Sequence, residues 1–357
     1  MSHNLRLYSK IKQQILQWLP DARITRVRNL ALLIAGLCLE RGIHLTEIVS
    51  AWPLPGRELS LVNRLRRFLS NDAVDVAAWY RPVARQILAV FADQQVRLMI
   101  DTTKVGFHHR LLMIGLAYRH RTLPLVWSVH EGSRGHTTTA EQLALFQQVA
   151  AWLPRDADVL VLGDTEFQRI ALLRWFCRRG WHFVIRQQGR IKVYRQGQGW
   201  QPLSAFELTA GETRDIGWVR LTEKHNMGWF WLVLHWDADE DEPWYLVADQ
   251  PGYRRILRCY RKRMWIEEMF GDMKDHGFHL EATHLRDADR LKRLVLGVCI
   301  AFVYFITLGS WVVKRGFRAL IDKKSRRDKS YFRLGLDWLK RRIRLGKSLR
   351  LHFRPYP

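Results

Sequence analysis

The sequence predicts an α/β protein: a mixed sheet with a β-rich insertion, an all-helical domain before it and a basic helical tail after it. Three observations point there. Between residues 96 and 190, three apolar runs of strand length come in succession, and helix-length and strand-length segments then alternate. Between 191 and 250, the runs IKVYRQG, GWVRLTE, GWFWLVLHW and PWYLVADQ alternate in polarity, punctuated by the turn clusters GQG, KHNMG and DADEDEP. The flanks are helical in period and rich in Lys and Arg.

At 357 residues the chain can hold two or three domains and a full core. It carries 58 Lys+Arg against 34 Asp+Glu, a formal net charge of +24. Solubility alone does not need that excess, which points to a polyanion, most simply nucleic acid, with an anionic membrane surface as the competing partner. The four cysteines, Cys38, Cys177, Cys259 and Cys299, are widely separated and form no CxxC pair, which suits a reduced, cytoplasmic protein. The polar, helical opening NLRLYSKIKQQ is no secretory signal.

In order, helices are expected at 5–19, 25–41, 44–52, 60–69 and 72–94, with Asp72 as N-cap of the last. Residues 1–95 are expected to form one all-helical unit. Its Arg23, Arg26 and Arg28, and its Arg64, Arg66 and Arg67, are candidate contacts to phosphates or guanine edges; a solvated basic face reads equally well. Strands follow near 97–103, 111–119, 123–130, 158–163 and 182–187, with helices at 137–152 and 166–179. His130, Arg134 and His136 share a polar loop that could touch phosphates. Residues 294–313 run for 20 positions without a charge, long enough to span a bilayer. Interruption by Tyr304, Thr307, Ser310 and two glycines favours a buried core helix. Residues 314–357 hold sixteen Lys/Arg against three Asp, with Tyr331, Phe332, Trp338 and Phe353 interleaved. That tail suits DNA phosphates, a partner subunit or a solvated end.

The chemistry centres on residues 260–274, YRKRMWIEEMFGDMK. At about 100° per residue, Tyr260, Arg263, Glu267 and Lys274 share an edge roughly 60° wide. Ile266, Met269, Phe270 and Met273 form an adjacent apolar stripe, while Arg261, Glu268, Asp272 and Asp275 are expected on a wet face. Upstream, RLMIDTTK and VLVLGDTEF each read as a buried strand delivering an acid, Asp101 and Asp164. Glu166 is read as a helix start or a spare carboxylate. Three carboxylates, Asp101, Asp164 and Glu267, could hold two Mg²⁺ ions for phosphodiester cleavage, one activating the attacking oxygen and one stabilising the leaving one. His276 and His279 lack a Cys or third His, which argues against zinc.

The spacing Y-x2-R-x3-E-x6-K, with both upstream Asp segments in order, resembles the signature of the cut-and-paste DDE transposases of bacterial insertion sequences, in the insertion-sequence-four family. The resemblance covers roughly residues 90–312. It implies a helical DNA-binding domain at 1–95, specific for the element's ends, then an RNase H-like core in two parts, 96–190 and 251–313, split by the β-rich insertion at 191–250 and followed by the tail at 314–357. It implies that Asp101, Asp164 and Glu267 bind Mg²⁺, with Mn²⁺ as substitute, and that Tyr260, Arg263 and Lys274 hold phosphates. Trp244, one of six insertion tryptophans, would stack on a base flipped from the transposon end, whereas Trp229 and Trp231 read as packing residues. The implied reaction binds double-stranded DNA at the element's ends, cleaves both strands through a hairpin and joins the ends to target DNA. The implied setting is a homodimer at the nucleoid of a bacterial cytoplasm, off the membrane. A catalytically silent or domesticated DNA binder and a structure-specific nuclease are the alternatives.

Overall fold

The computed structural model describes residues 2–132, 135–225, 227–323 and 325–356. Five helices open the chain: α1 (His3–Trp18), α2 (Ile24–Glu40), α3 (Leu45–Ser50), α4 (Glu58–Leu69) and α5 (Val76–Ala89). Ser2 caps α1 by accepting the Leu5 amide. At α5 the expected cap is corrected by three residues. Asp75, not Asp72, accepts from Ala78 N–H, because it stands directly before the apolar period begins. Asp72 instead takes a guanidinium N–H of Arg293 at 2.6 Å.

The strands are β1 (Val96–Val105), β2 (His109–Tyr118), β3 (Arg121–Glu131), β4 (Val159–Gly163), β5 (His182–Gln187), β6 (Lys192–Arg195), β7 (Gly199–Pro202), β8 (Thr213–Leu221), β9 (Trp229–His235) and β10 (Trp244–Ala248). Helices α6 (Thr139–Ala150) and α7 (Ile170–Arg179) alternate with β4 and β5. All ten strands join one sheet in the order β3-β2-β1-β4-β5-β10-β9-β8-β6-β7. β1, β4 and β5 are parallel, and the flanking strands are antiparallel. The strands of the 191–250 insertion belong to this same sheet. β10 lies against β5, pairing Val247 with Ile185, and carries the sheet outward through β9 and β8.

After the sheet come α8 (Tyr253–Tyr260), α9 (Met264–Met273), α10 (Ala288–Lys314) and α11 (Tyr331–Arg344). The single helix expected over 260–274 is broken: a 3-10 turn at Arg261–Arg263 separates α8 from α9. Asp272 is also not on a wet face. It is 3% exposed and accepts a 2.5 Å hydrogen bond from Arg121 Nε on β3, while Arg121 Nη1 reaches the exposed Glu268 at 3.0 Å. A wheel drawn from one helix alone cannot anticipate a cation supplied by a strand.

α10 is long and apolar enough to cross a membrane, but 94% of its apolar window is buried inside the protein. It packs on β3, α2, α4, α5 and α11. Glycines set the closest approaches: a Cβ on Gly309 would collide with the Tyr331 carbonyl, and one on Gly335 with that of Phe305. The tail is folded back rather than loose. Phe332, Leu336 and Trp338 are buried, Phe353 meets Trp18 edge-on at 4.7 Å between ring centres, and Tyr118 Oη donates to the Tyr356 carbonyl at 2.6 Å.

Candidate active site

β1 and β4 run parallel with Met99 beside Leu162. Two residues further along, the same register sets Asp101 beside Asp164, on strands that neighbour one another at about 4.8 Å. Asp164 has just left β4 in extended backbone, and its carboxylate accepts the Glu166 amide at 2.9 Å. Asp101 accepts the Thr102 amide at 2.8 Å. Helix α9, which carries Glu267, packs on β1. Arg263 stands between the groups, 3.5 Å from Asp101 and 2.7 Å from Glu267.

The electrostatics follow from that crowding. Burial and the facing Asp164 carboxylate push Asp101 up to about 7, against the pull of Arg263. Burial also raises Asp164, partly countered by the Glu166 amide and Arg263. Burial opposes the charge on Arg263, yet Tyr260, Asp101, Glu267 and Asp164 together hold its pKa above the usual arginine range. Its Nε is buried without a hydrogen-bond partner, so one donor of the fork is unspent. The donor set, carboxylate oxygens, suits a hard divalent cation. Among the described residues, no three such side chains already converge to ion-holding distance. Glu267 is paired with Arg263 in this arrangement.

Glu166 is the residue whose importance the sequence under-reports. Its Oε1 accepts from Thr102 Oγ1 at 3.1 Å, from the Thr137 amide at 2.8 Å and from Thr137 Oγ1 at 2.5 Å. Thr102 follows Asp101 and Glu166 follows Asp164 by two, so one carboxylate ties both acid-bearing segments to the entrance of α6. The motif DTEF hinted at it, but the partners lie 64 and 29 residues away. Arg186 on β5 was also missed. It pairs with Glu242 at 3.2 Å, and its Nε is buried without a partner.

The remaining candidates are placed unevenly. Tyr260 is buried under Arg263, whose guanidinium lies 5.9 Å over its ring, and burial pushes the phenol up to about 12. Lys274 is turned from the acids and pairs with Glu281 at 2.5 Å. Trp244 is 9% exposed, packed edge-on at 5.1 Å against Tyr260 and at 5.4 Å against His235. Tyr260 and His235 thus flank the Trp244 ring, the one expected to stack on a flipped base. Trp229 corrects the opposite way: read as packing, it is 45% exposed. On α4, Arg66 and Arg67 are exposed, while Arg64 donates to Asn29 of α2 at 2.8 Å. His130 is held by Glu141 at 2.9 Å, His136 faces Glu166 at 3.8 Å, and Arg134 lies outside the described residues.

The fold is thus a large mixed α/β sheet with one aspartate in the middle of β1, a second just past the end of the neighbouring β4, and a helix-borne Glu–Arg pair beside them. The chain belongs to the transposase DDE domain family, which it matches over residues 92–304. Members of that family are DNA transposases and generally use divalent metals. No curated protein matches the chain. A cryo-EM structure of the piggyBac transposase synaptic complex with hairpin DNA overlaps it with a TM-score of 0.43 at 10% identity, over 96% of this chain and 82% of that one. So loose an overlap carries no further argument.

Proposed function

We propose that the protein is a cut-and-paste transposase of the insertion-sequence-four kind, with Asp101, Asp164 and Glu267 as its catalytic acids. The observation that carries this is the β1–β4 register, which sets Asp101 beside Asp164 while Arg263 reaches both Asp101 and Glu267. Two divalent ions, Mg²⁺ or Mn²⁺, would supply activation of the attacking oxygen and stabilisation of the leaving one. Asp101 and Asp164 would hold them from the sheet, and Glu267 from α9 after releasing Arg263. Arg263, freed, offers its planar fork to the phosphate oxygens beside the scissile bond. Tyr260 limits where that fork can swing, and buried Trp244 supports Tyr260 from below. Lys274 could reach phosphate only by giving up Glu281.

Such a site can carry successive in-line attacks: by water, by the freed 3′-OH on the opposite strand to form a hairpin, by water again, and by 3′-OH on target DNA. Two subunits would act together, one at each end. The exposed Arg66 and Arg67 on α4, and the cations of α8 and the 3-10 turn after it (Arg254, Arg258, Lys262), suit duplex phosphates. The test is a plasmid bearing the element's own ends, incubated with Mg²⁺. The intact protein should cut and rejoin, whereas Glu267→Ala should bind the ends and leave them uncut. Cutting by Glu267→Ala at the wild-type rate would remove Glu267 from the site. Cutting without any joining would favour a nuclease.

A further inference from the structure

The outer part of the sheet has one face that neither the fold nor the catalytic site uses. Register places its residues. Trp218 pairs with Trp231 and Arg220 with Trp229 across β8 and β9. Tyr194 of β6 pairs with Arg220 on one side and Trp200 of β7 on the other. Directly opposed residues and those two apart share a face. So five aromatic rings and one guanidinium lie on a single surface spanning four strands. The alternate residues, Val193, Val219, Leu221, Phe230 and Leu232, point the other way and are buried.

The surface is open. Trp218 and Trp229 are each 45% exposed. The rings meet edge to face rather than stacking on one another, with Trp218 and Trp231 at 85° and Tyr194 and Trp229 at 67°. That arrangement leaves ring faces unspent. Arg220 lies 5.5 Å over Trp229, and its buried Nε has no hydrogen-bond partner. The acids here are committed: Asp215 accepts from Trp231 Nε1 at 2.7 Å, and Glu223 pairs with Lys192 at 2.7 Å.

A groove of about 410 Å³ leads to this face from the catalytic side. It begins at Thr165 and Glu166, next to Asp164, and ends at Lys192 and Thr222. Lys192 precedes Tyr194 by two on β6, so the end of the groove lies beside the aromatic face. Arg169, Arg190, Lys192 and Lys224 line the groove. All four are exposed, and among the described residues only Lys192 has a carboxylate partner. Cations along a groove that ends beside open aromatic rings match a charged backbone carrying flat bases.

We infer that the groove and the Tyr194–Trp200–Trp218–Arg220–Trp229–Trp231 face form a binding track for unpaired DNA, the groove holding phosphates and the rings stacking bases. This rests on the DNA-transposing reading, since strand opening beside the acids is what would feed such a track. Its test needs neither metal nor cleavage. A fluorescein-labelled oligodeoxythymidylate of roughly 15 nucleotides is titrated with the full-length protein, alongside a blunt duplex. Trp218→Ala/Trp229→Ala, altered only at exposed positions, should bind the oligonucleotide at least about tenfold more weakly, and Arg220→Ala several-fold more weakly. Affinity for the blunt duplex should stay near the wild-type value. Unchanged oligonucleotide affinity in the double variant overturns the inference, and so does failure of the wild type to bind it. If light scattering shows the double variant losing self-association while oligonucleotide affinity holds, the face joins two copies and the inference falls. Glu267→Ala that still binds oligonucleotide but does not cut supports both readings. A cleaving protein with no oligonucleotide affinity keeps the transposase reading and removes only the track.

Discussion

Asp101 is a carboxylate held where an anion is costly. Its pKa in the fold is about 7 against an ordinary value of 3.8, with burial the main cause. Between those values the folded protein keeps a proton that the unfolded chain has released. Stability contributed by this site therefore falls as pH rises from about 4 to 7, and the deficit is complete above that. In chelator, Asp101→Asn should melt higher than wild type at pH 8, by up to roughly 4 kcal/mol, with the gap closing towards pH 4.5. A gap independent of pH in calorimetry would remove the electrostatic cause. Glu166 makes the complementary case. Glu166→Gln retains a carbonyl oxygen for Thr102 and Thr137 and should cut at near-wild-type rates. Glu166→Ala should cut about ten- to a hundredfold more slowly, the range seen when groups that orient metal ligands are lost. Equal loss in both variants would make Glu166 a ligand instead. At this scale an apolar run with a terminal Asp is a local pattern, and it placed Asp164 at the end of β4, but Asp101 stands in mid-strand, because β1 continues through the polar Thr102–Lys104 where β2 supplies its partners. The sequence could not show Glu166 as a clasp, since Thr102 and Thr137 are joined to it only by folding. Nor could it show that Trp244 is covered while Trp229 is bare, as both sit in similar alternating runs.

Elements were legible where their period was long and unbroken. The five strands read over 97–187 are present with ends shifted by a few residues, and α10 covers the charge-free run. The break at Arg261–Arg263 was hidden, because three cations interrupt no pattern on a wheel. What seats α9 is Arg121, which spans Asp272 and Glu268 from the start of β3. Arg121→Ala would leave Asp272 buried without its partner and should cost about 3–5 kcal/mol, read as a lowered denaturation midpoint. Arg121→Lys should recover only part of this, because Lys offers no fork. Between α10 and α11 the contact depends on missing side chains. Gly335→Ala should undock α11 and expose Trp338, visible as a red-shifted tryptophan emission. Unshifted emission with native stability would mean that the helices can slide apart at little cost.

At the scale of the whole molecule, the excess of 24 positive charges favours association with a polyanion. The logarithm of the affinity for duplex DNA should fall linearly with the logarithm of salt concentration. Arg66→Ala/Arg67→Ala should flatten that slope by about two if both meet phosphates. Because α10 is sheathed by protein, the chain should stay in the supernatant of a detergent-free lysate after ultracentrifugation, and recovery only in the membrane pellet would contradict this. Composition foretold the charge, and pattern foretold a sheet with helical flanks. That the 191–250 strands would extend the same sheet was not readable, because edge pairing is decided by partners far along the chain. The position of α10 has one more implication. It is the shared wall of the N-terminal helices, of β3 and of α11, yet it is made late. During synthesis, about 290 residues emerge before the surfaces of α2 and β3 find their cover. A ribosome stalled before residue 288 should therefore display a nascent chain that is open to protease, and one stalled some 40 residues beyond 314 a resistant one.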